Sequence, residues 1–487
     1  MLFNSIDFAI FLPTVFILYW FVVNRNLKLQ NILLIIASYV FYGWWDWRFL
    51  SLIMFSSAVD YFVGRGLERT EDPKKRTALL IVSILVNIGF LGFFKYFNFF
   101  AQSFADAFTF FGAHINASRL NILLPVGISF YTFQTLSYSI DVYRRKLAPT
   151  HDIVSFFAFV SFFPQLVAGP IERASNLLPQ FYRKRIFDYR KAVDGMRQIL
   201  WGLFKKIVIA DNAAVYVNDI FGNYGDYSGS TLLIGGILFT LQVYGDFSGY
   251  SDIAIGTSRL FGFNLMQNFN FPFFSRDIAE LWRKWHISLN TWFRDYIYIP
   301  LGGSRVGAWK KIRNIFIIFV VSGLWHGADW TYVIWGFLSA VYFLPIMLLK
   351  KHRQNTDVVA EGRLIPSFRE LVQIITTFML FSVSLIIFRS DSIQDAIHYF
   401  SKVFSSSLFD SPIKDFWTMN SGNHIIHFTI SIFLLFIIEW LQRTRQHGLD
   451  IDEKNVPRIL RWSIYYLVMV ACFMMNGIQQ EFIYFQF

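Results

Sequence analysis

One cysteine, Cys472, is all that the 487 residues contain, which excludes an internal disulfide, a CxxC redox pair and a cysteine-built metal site. Charge is scarce too: Asp, Glu, Lys and Arg make up 16% of the chain, against about 25% in soluble domains. No Pro-rich, Gly/Ser-rich or low-complexity linker divides the sequence, and no inverted repeat of the kind many transporters carry is visible. Also missing are a GxSxG nucleophile elbow, a P-loop, an HExxH zinc motif and a GxGxxG in a useful context. An enzyme of this composition is left with a histidine general base acting directly on an acceptor, with no metal and no bound cofactor expected. A soluble enzyme, a disordered scaffold and a nucleic-acid binder are disfavoured together.

What is present is apolar and aromatic: 55% hydrophobic residues, with 58 Phe, 15 Trp and 23 Tyr. At about 20 apolar residues per bilayer crossing, spans fall near 8–23, 30–46, 49–63, 77–100, 121–143, 196–217, 231–257, 314–328, 331–349, 370–388, 425–442 and 462–476. This predicts an all-α polytopic integral membrane protein forming one domain over 1–487. Met1–Asp7 offers no basic stretch before the first apolar run, so that run is read as a retained span. Two more apolar stretches, 153–170 and 263–302, have basic loops on both sides and are expected to be re-entrant or to lie along one face.

The charge pattern orients this map. Loops 24–29, 64–77, 144–152, 171–206, 259–313, 350–369 and 443–461 hold 38 of the 44 Lys and Arg, and all fall on one side. The opposite loop 218–230 carries Asp219 and Asp226 and no basic residue. The positive-inside rule therefore assigns the net charge of +11 to cytoplasmic loops of a multi-pass membrane protein in contact with lipid, and both termini to the outside.

Polar residues inside spans are site candidates by default. Gln242 to Asp252 places Asp246, Ser248 and Asp252 in one span with Gly245 and Gly249. A hydrogen-bonded packing node, with Asp fixing neighbouring backbone or Arg groups, is favoured there over direct chemistry. From Asp277, a helix-start residue with Glu280 three positions on, apolar residues recur at spacings of three and four through Tyr296. That pattern predicts one amphipathic helix with His286 at the edge of its apolar stripe. It reads equally as an interfacial anchor or as a basic platform for an anionic donor. Finally, Ser322-Gly323-Leu324-Trp325-His326-Gly327-Ala328-Asp329 joins two spans. The two glycines suit a ligand or acyl chain approaching the His326 ring, and a histidine near neutrality can take and return a proton.

The segments Leu124-Pro125-Val126-Gly127-Ile128-Ser129-Phe130, Phe162-Phe163-Pro164-Gln165-Leu166-Val167-Ala168-Gly169-Pro170, Tyr244-Gly245-Asp246-Phe247-Ser248-Gly249-Tyr250-Ser251-Asp252, Trp282-Arg283-Lys284-Trp285-His286 and Leu324-Trp325-His326-Gly327 resemble the membrane-bound O-acyltransferase family. Within it the chain is most similar to the bacterial branch of the alginate O-acetyltransferase membrane subunit and the teichoic-acid D-alanyl transfer protein. The resemblance implies a ring of about 11–12 transmembrane helices with re-entrant or interfacial helices around a central tunnel. It implies a cytosolic acyl thioester donor, acetyl-CoA or an acylated carrier protein, and O-acylation of an extracytoplasmic or secreted polysaccharide such as alginate with the help of an extracytoplasmic partner acyltransferase. It places the protein in the bacterial inner membrane. The family's invariant histidine corresponds to His326 and its less constant His or Asn to His286, with Trp325, Asp246, Ser248 and Asp252 as tunnel or structural polar residues. The C-terminal Glu481-Phe482-Ile483-Tyr484-Phe485-Gln486-Phe487 resembles an aromatic motif of bacterial envelope acylation systems, which makes Tyr484 an acyl relay or an interfacial belt residue. The topology puts His286 on the cytoplasmic side and His326 near the opposite face, unless 263–302 is sunken. The alternatives are D-alanyl-type transfer from a carrier protein and a non-catalytic translocator or channel.

Overall fold

The computed structural model describes residues 1–110, 120–167, 169–419, 422–475, 477 and 479–483. Among these residues every regular element is a helix, and six helical segments are long and apolar enough to cross a membrane: Leu27–Glu68, Pro73–Thr109, Gly229–Leu260, Trp330–Leu348, Phe368–Arg389 and His424–Leu441. At about 1.5 Å per residue, the 42 residues of Leu27–Glu68 exceed one crossing. The chain turns inside that segment: Asp46 leaves helical geometry at φ −157° and its carboxylate accepts the Arg48 backbone N–H. The two spans expected at 30–46 and 49–63 are thus joined by one capped turn.

The outward faces are apolar. Ile6, Phe21, Phe62, Leu85, Phe368, Ile459 and Phe473 are each more than 60% exposed, a distribution that only a hydrocarbon solvent stabilises. Trp44, Trp45 and Trp47 lie exposed beside Arg48, as residues of an interfacial belt do.

The described chain forms two compact units, Met1–Ala192 with Thr257–Met266, and Val193–Gly256 with Gln267–Phe487. In the first, the helix Ile128–Tyr143 buries all but Ile140 and Tyr143, so it packs on every face rather than along one stripe, and its buried Ser, Thr, Gln and Asp side chains need partners inside the protein. The span expected over 121–143 is helical only from Ile128, because Pro125 disfavours helix at Leu124 and Gly127 takes a left-handed φ of 73°. A Cβ on Gly127 would also sit 2.8 Å from the Leu166 carbonyl oxygen. Three helices meet at Asp60, whose carboxylate accepts from Ser139 at 2.6 Å, Asn87 at 2.8 Å and Ser83. The stretch 153–170 forms two short helices, Ile153–Ser161 and Phe163–Leu166, both largely buried.

The second unit carries the long Gly229–Leu260 helix as far as Gly256, the Ala308–His326 and Trp330–Leu348 pair, and the later spans. The expected span 196–217 is one continuous run of Tyr189–Leu203, a π-turn Phe204–Ala210 and Asp211–Gly222.

Candidate functional site

His326 ends the helix Ala308–His326, and Asp329 starts the next by accepting the Thr331 N–H at 2.9 Å. Small residues set how closely the two helices approach: a Cβ at Gly323 would collide with the Tyr332 carbonyl, and one at Gly336 with the Phe319 carbonyl. The space at Gly323 and Gly327 is therefore already filled. The Tyr332 ring lies where a Gly327 side chain would go, so these glycines serve helix packing rather than the approach of an acyl chain, as their spacing had suggested. The His326 ring is 5% exposed and is enclosed by Trp325 at 5.0 Å, Trp335 at 5.3 Å and Phe388 at 5.6 Å between centroids. Water is kept from such a pocket, which strengthens any charge interaction formed inside it.

The single amphipathic helix expected from Asp277 onward is broken. Asp277 does cap its start, accepting the Glu280 N–H at 2.7 Å, but the helix stops at Lys284 and a second runs Ile287–Phe293. Between them His286 sits at φ 44°, a strained conformation for a ring-bearing residue. Other backbone and amide groups hold the break open. Asn270 N–H donates to the Lys284 carbonyl and Ile287 N–H to the Asn268 carbonyl, both at 2.9 Å. The Asn290 side chain donates to the carbonyls of Trp282 and Trp285 at 2.8 and 2.6 Å. His286 consequently leaves the surface and becomes 2% exposed, 4.6 Å from the Phe247 ring, 5.7 Å from Trp325 and 6.3 Å from His326. The expectation that the two histidines lie apart gives way to the sunken alternative.

The basic platform is largely spent within the protein. Lys284 pairs with buried Glu280 at 2.7 Å, Arg276 with Glu280 and Asp357 at 3.1 Å each, and Arg283 donates to the His352 carbonyl at 2.7 Å. In that loop, burial and the neighbouring Arg353 and Arg283 hold His352 below the usual imidazole range, and the Arg276 hydrogen bond holds Asp357 below the carboxylate range.

Asp246 and Asp252 meet cations that the charge ledger assigned to a loop. Lys205 and Lys206 are 3% and 1% exposed, carried by the π-turn Phe204–Ala210, an irregularity that often marks a functional position. Lys206 reaches Asp211 at 2.7 Å and Asp246 at 2.8 Å, while Lys205 reaches Asp252 at 2.6 Å. The approach needs glycine: a Cβ at Gly249 would lie 2.7 Å from the Gly202 carbonyl oxygen, and one at Gly245 2.8 Å from that of Lys205. Ser248 is buried on the same helix. Asp246 and Asp252 thus meet buried lysines where the sequence suggested backbone or arginine partners.

The same node takes hold of the C-terminal segment. Lys206 donates to the Gln480 carbonyl at 3.0 Å, and Asp246 accepts the Ile483 N–H at 2.6 Å. Phe482 is fully buried, 4.3 Å from the Tyr250 ring and 6.0 Å from Phe247. Phe247 thus stands between the tail and His286. Tyr484, the next residue after Ile483, lies outside the described residues. Lys205, Lys206, Asp211, Phe247, Trp335 and Phe388 were missed by sequence reasoning. Adjacent lysines in one span and two aspartates in another were the available signal, since buried charges need partners.

The sequence profile of the membrane-bound O-acyltransferase family matches residues 84–388. The chain belongs to that family. It is an acyltransferase of the membrane, and the matched region contains His286, His326, Lys206 and Asp246. It is 39% identical over 408 residues to a protein named probable alginate O-acetylase of Pseudomonas aeruginosa, covering 83% of this chain and 75% of the relative. It is 33% identical over 426 residues to a peptidoglycan O-acetyltransferase of Helicobacter pylori, covering 82% and 78%. A teichoic acid D-alanyltransferase of Bacillus subtilis is 29% identical over 280 residues, covering 53% and 67%. The C-terminal segment held by Lys206 and Asp246 lies beyond the matched region.

Proposed function

We propose that this acyltransferase moves an acetyl or similarly small acyl group from a cytosolic thioester, acetyl-CoA or an acylated carrier protein, to an extracytoplasmic polysaccharide such as alginate. One observation carries the reading: two buried histidines 6.3 Å apart in an aromatic cage, with a C-terminal segment docked one ring away. His326 is the general base and His286 its neighbour, placed to share the proton or to orient the reacting group. Tyr484 is the acyl relay. Its phenol gives a proton to His326 and its oxygen attacks the thioester carbonyl; the thiolate leaves and takes that proton, which leaves an acyl-tyrosyl ester. A hydroxyl of the polysaccharide, presented by an extracytoplasmic partner, then takes the acyl group and restores the phenol. Asp246 with Lys206 holds the tail, Asp252 with Lys205 braces the same helices, Ser248 belongs to that packing and Trp325 walls the cage.

The two acetyl-transferring relatives cover more of this chain than the D-alanyl relative does, which favours acetyl over D-alanyl transfer. The lack of a dividing linker supports one integral domain over 1–487 of a bacterial inner membrane, and the charge distribution supports basic loops facing the cytosol and both termini outside. Membrane lipid and the thioester donor are its inner-face partners.

The test is radiolabelled acetyl-CoA with detergent-purified wild type, His326→Ala and Tyr484→Phe, following thioester turnover and protein-bound label. Turnover lost about 10²–10⁴-fold in His326→Ala, with the protein still inserted, and label lost in Tyr484→Phe are expected. Retained transfer in His326→Ala would sink the assignment of the base. Retained label in Tyr484→Phe would sink the relay alone. No turnover in wild type moves the donor to a carrier protein.

A further inference from the structure

The first unit contains a cavity of about 450 Å³ lined by Phe16, Trp20, Phe21, Asn24, Arg25, Lys184, Arg185, Ile186 and Phe187. Three lining residues are cations and none is an acid. Of the three, Arg185 is buried, at 7% exposure. Its guanidinium donates to the Tyr19 hydroxyl at 2.5 Å, to Asn31 Oδ1 at 2.7 Å and, more weakly, to Gln30 Oε1 and the Gln180 carbonyl at 3.4 Å. Every one of these acceptors is neutral, so a buried positive charge is oriented by hydrogen bonds but not neutralised by any carboxylate among the described residues. Taking a charge out of water at such a cost is normally offset by an anion.

The rim of the cavity has a second character. Phe21 is 74%, Ile186 80% and Phe187 45% exposed, so apolar side chains that suit acyl chains stand directly beside Arg25 and Lys184. That combination of apolar wall and cationic rim occurs where a lipid head group meets its chains. Both loops that supply the cations, 24–29 and 171–206, belong to the basic face of the charge ledger, which the positive-inside rule assigns to the cytoplasm, where anionic lipids give the leaflet its negative potential. The volume falls within the range of sites that take small ligands.

We propose that this cavity binds the phosphate of an anionic phospholipid, with Arg185 as the fixed cation at its base and Arg25 and Lys184 closing over the head group. The site belongs to the first unit and does not depend on the acyl-transfer reading of the second.

The test compares wild type with the Arg25→Gln/Lys184→Gln double variant, two exposed positions whose change spares the Arg185 hydrogen bonds. Detergent-purified protein is titrated with dioctanoyl phosphatidylglycerol, dioctanoyl phosphatidylcholine and inorganic phosphate, with bound mass read by native mass spectrometry. Wild type should prefer phosphatidylglycerol over phosphatidylcholine by roughly tenfold or more, and the double variant should lose that preference. Competition by inorganic phosphate at modest concentration would make a free phosphate the occupant of the same cations. Equal binding of the two lipids by wild type, or an unchanged preference in the double variant, would overturn the proposal.

Discussion

Two buried carboxylates, Asp60 in the first unit and Asp246 in the second, sit inside spans where an ionisable group is costly, and the protein treats them differently. Among the described residues Asp60 receives neutral donors, which include the hydroxyls of Ser83 and Ser139 and the amide of Asn87. Asp246 faces the ammonium of Lys206, which also serves Asp211, and the two partners together grip a backbone segment near the end of the chain. The first arrangement ties three helices and asks nothing more of them. The second directs strong, charge-assisted acceptors and donors at the backbone of Gln480 and Ile483. At Asp60 neutral hydrogen bonds tie helices together, while at Asp246 opposed charges also engage the backbone of Gln480 and Ile483.

The comparison breaks most sharply at Lys206. Lys206→Met leaves Asp211 and Asp246 buried without their cation and should cost about 3–5 kcal/mol, read as a loss of thermal stability together with a protease-accessible C terminus. If the tail stays protected, the charged node does not hold it.

A third buried acid, Glu172, tests how far neutral donors suffice. It accepts from the Met266 N–H at 2.5 Å and Asn176 at 2.7 Å, and burial raises its carboxyl from 4.5 to about 7. Because the folded state holds its proton more tightly than the unfolded chain, the contribution of Glu172 to stability is fully present below pH 4.5 and is lost as pH rises through about 7. The loss has an upper bound of about 3 kcal/mol. Thermal unfolding followed across this window should show the slope in wild type and a flatter profile in Glu172→Gln; identical profiles would remove Glu172 from the account.

Ile483→Pro deletes the backbone N–H that donates to Asp246 and should cost about 1.5–3 kcal/mol at the tail. On the relay reading, protein-bound acyl label falls while thioester hydrolysis persists. Equal loss of both would make the tail a structural element of the cage. The smallest effect is expected at the neutral node: Asp60→Asn keeps the shape, and an Asn87 flip restores the pair while the Ser56 and Thr135 hydroxyls turn to accept, at the cost of the Asn87 bond to the Ser83 carbonyl, so about 1 kcal/mol is expected in a melting assay. A loss as large as that of Lys206→Met would erase the distinction between the two nodes.

Much of the site could be named from the sequence, but little of its geometry could. His326 is legible because it closes a span among glycines, and the polar run from Gln242 to Asp252 is legible because the bilayer makes it expensive. The proximity of His286 is not, since residues 278–296 keep helical spacing without proline or glycine. The break there is imposed by Asn268 and Asn270 from upstream and by Asn290 from the following turn. The same holds for Gly323 and Gly327. Their small size is visible in the sequence, but the Tyr332 backbone and ring that fill the space come from the next helix.

By itself, the sequence determined the membrane as solvent and the helical class, because hydrocarbon burial and backbone hydrogen bonding are local demands that each segment meets alone. It also determined the family, through ordered motifs whose residues survive without reference to their neighbours in space. Tertiary structure alone decided that Lys206 opposes Asp246, that the backbone of Gln480 and Ile483 is bonded to them, and that two histidines 40 residues apart in the sequence share one aromatic cage. Those outcomes depend on pairing energies between groups distant in the chain, and periodicity carries no record of which partner a buried group will meet.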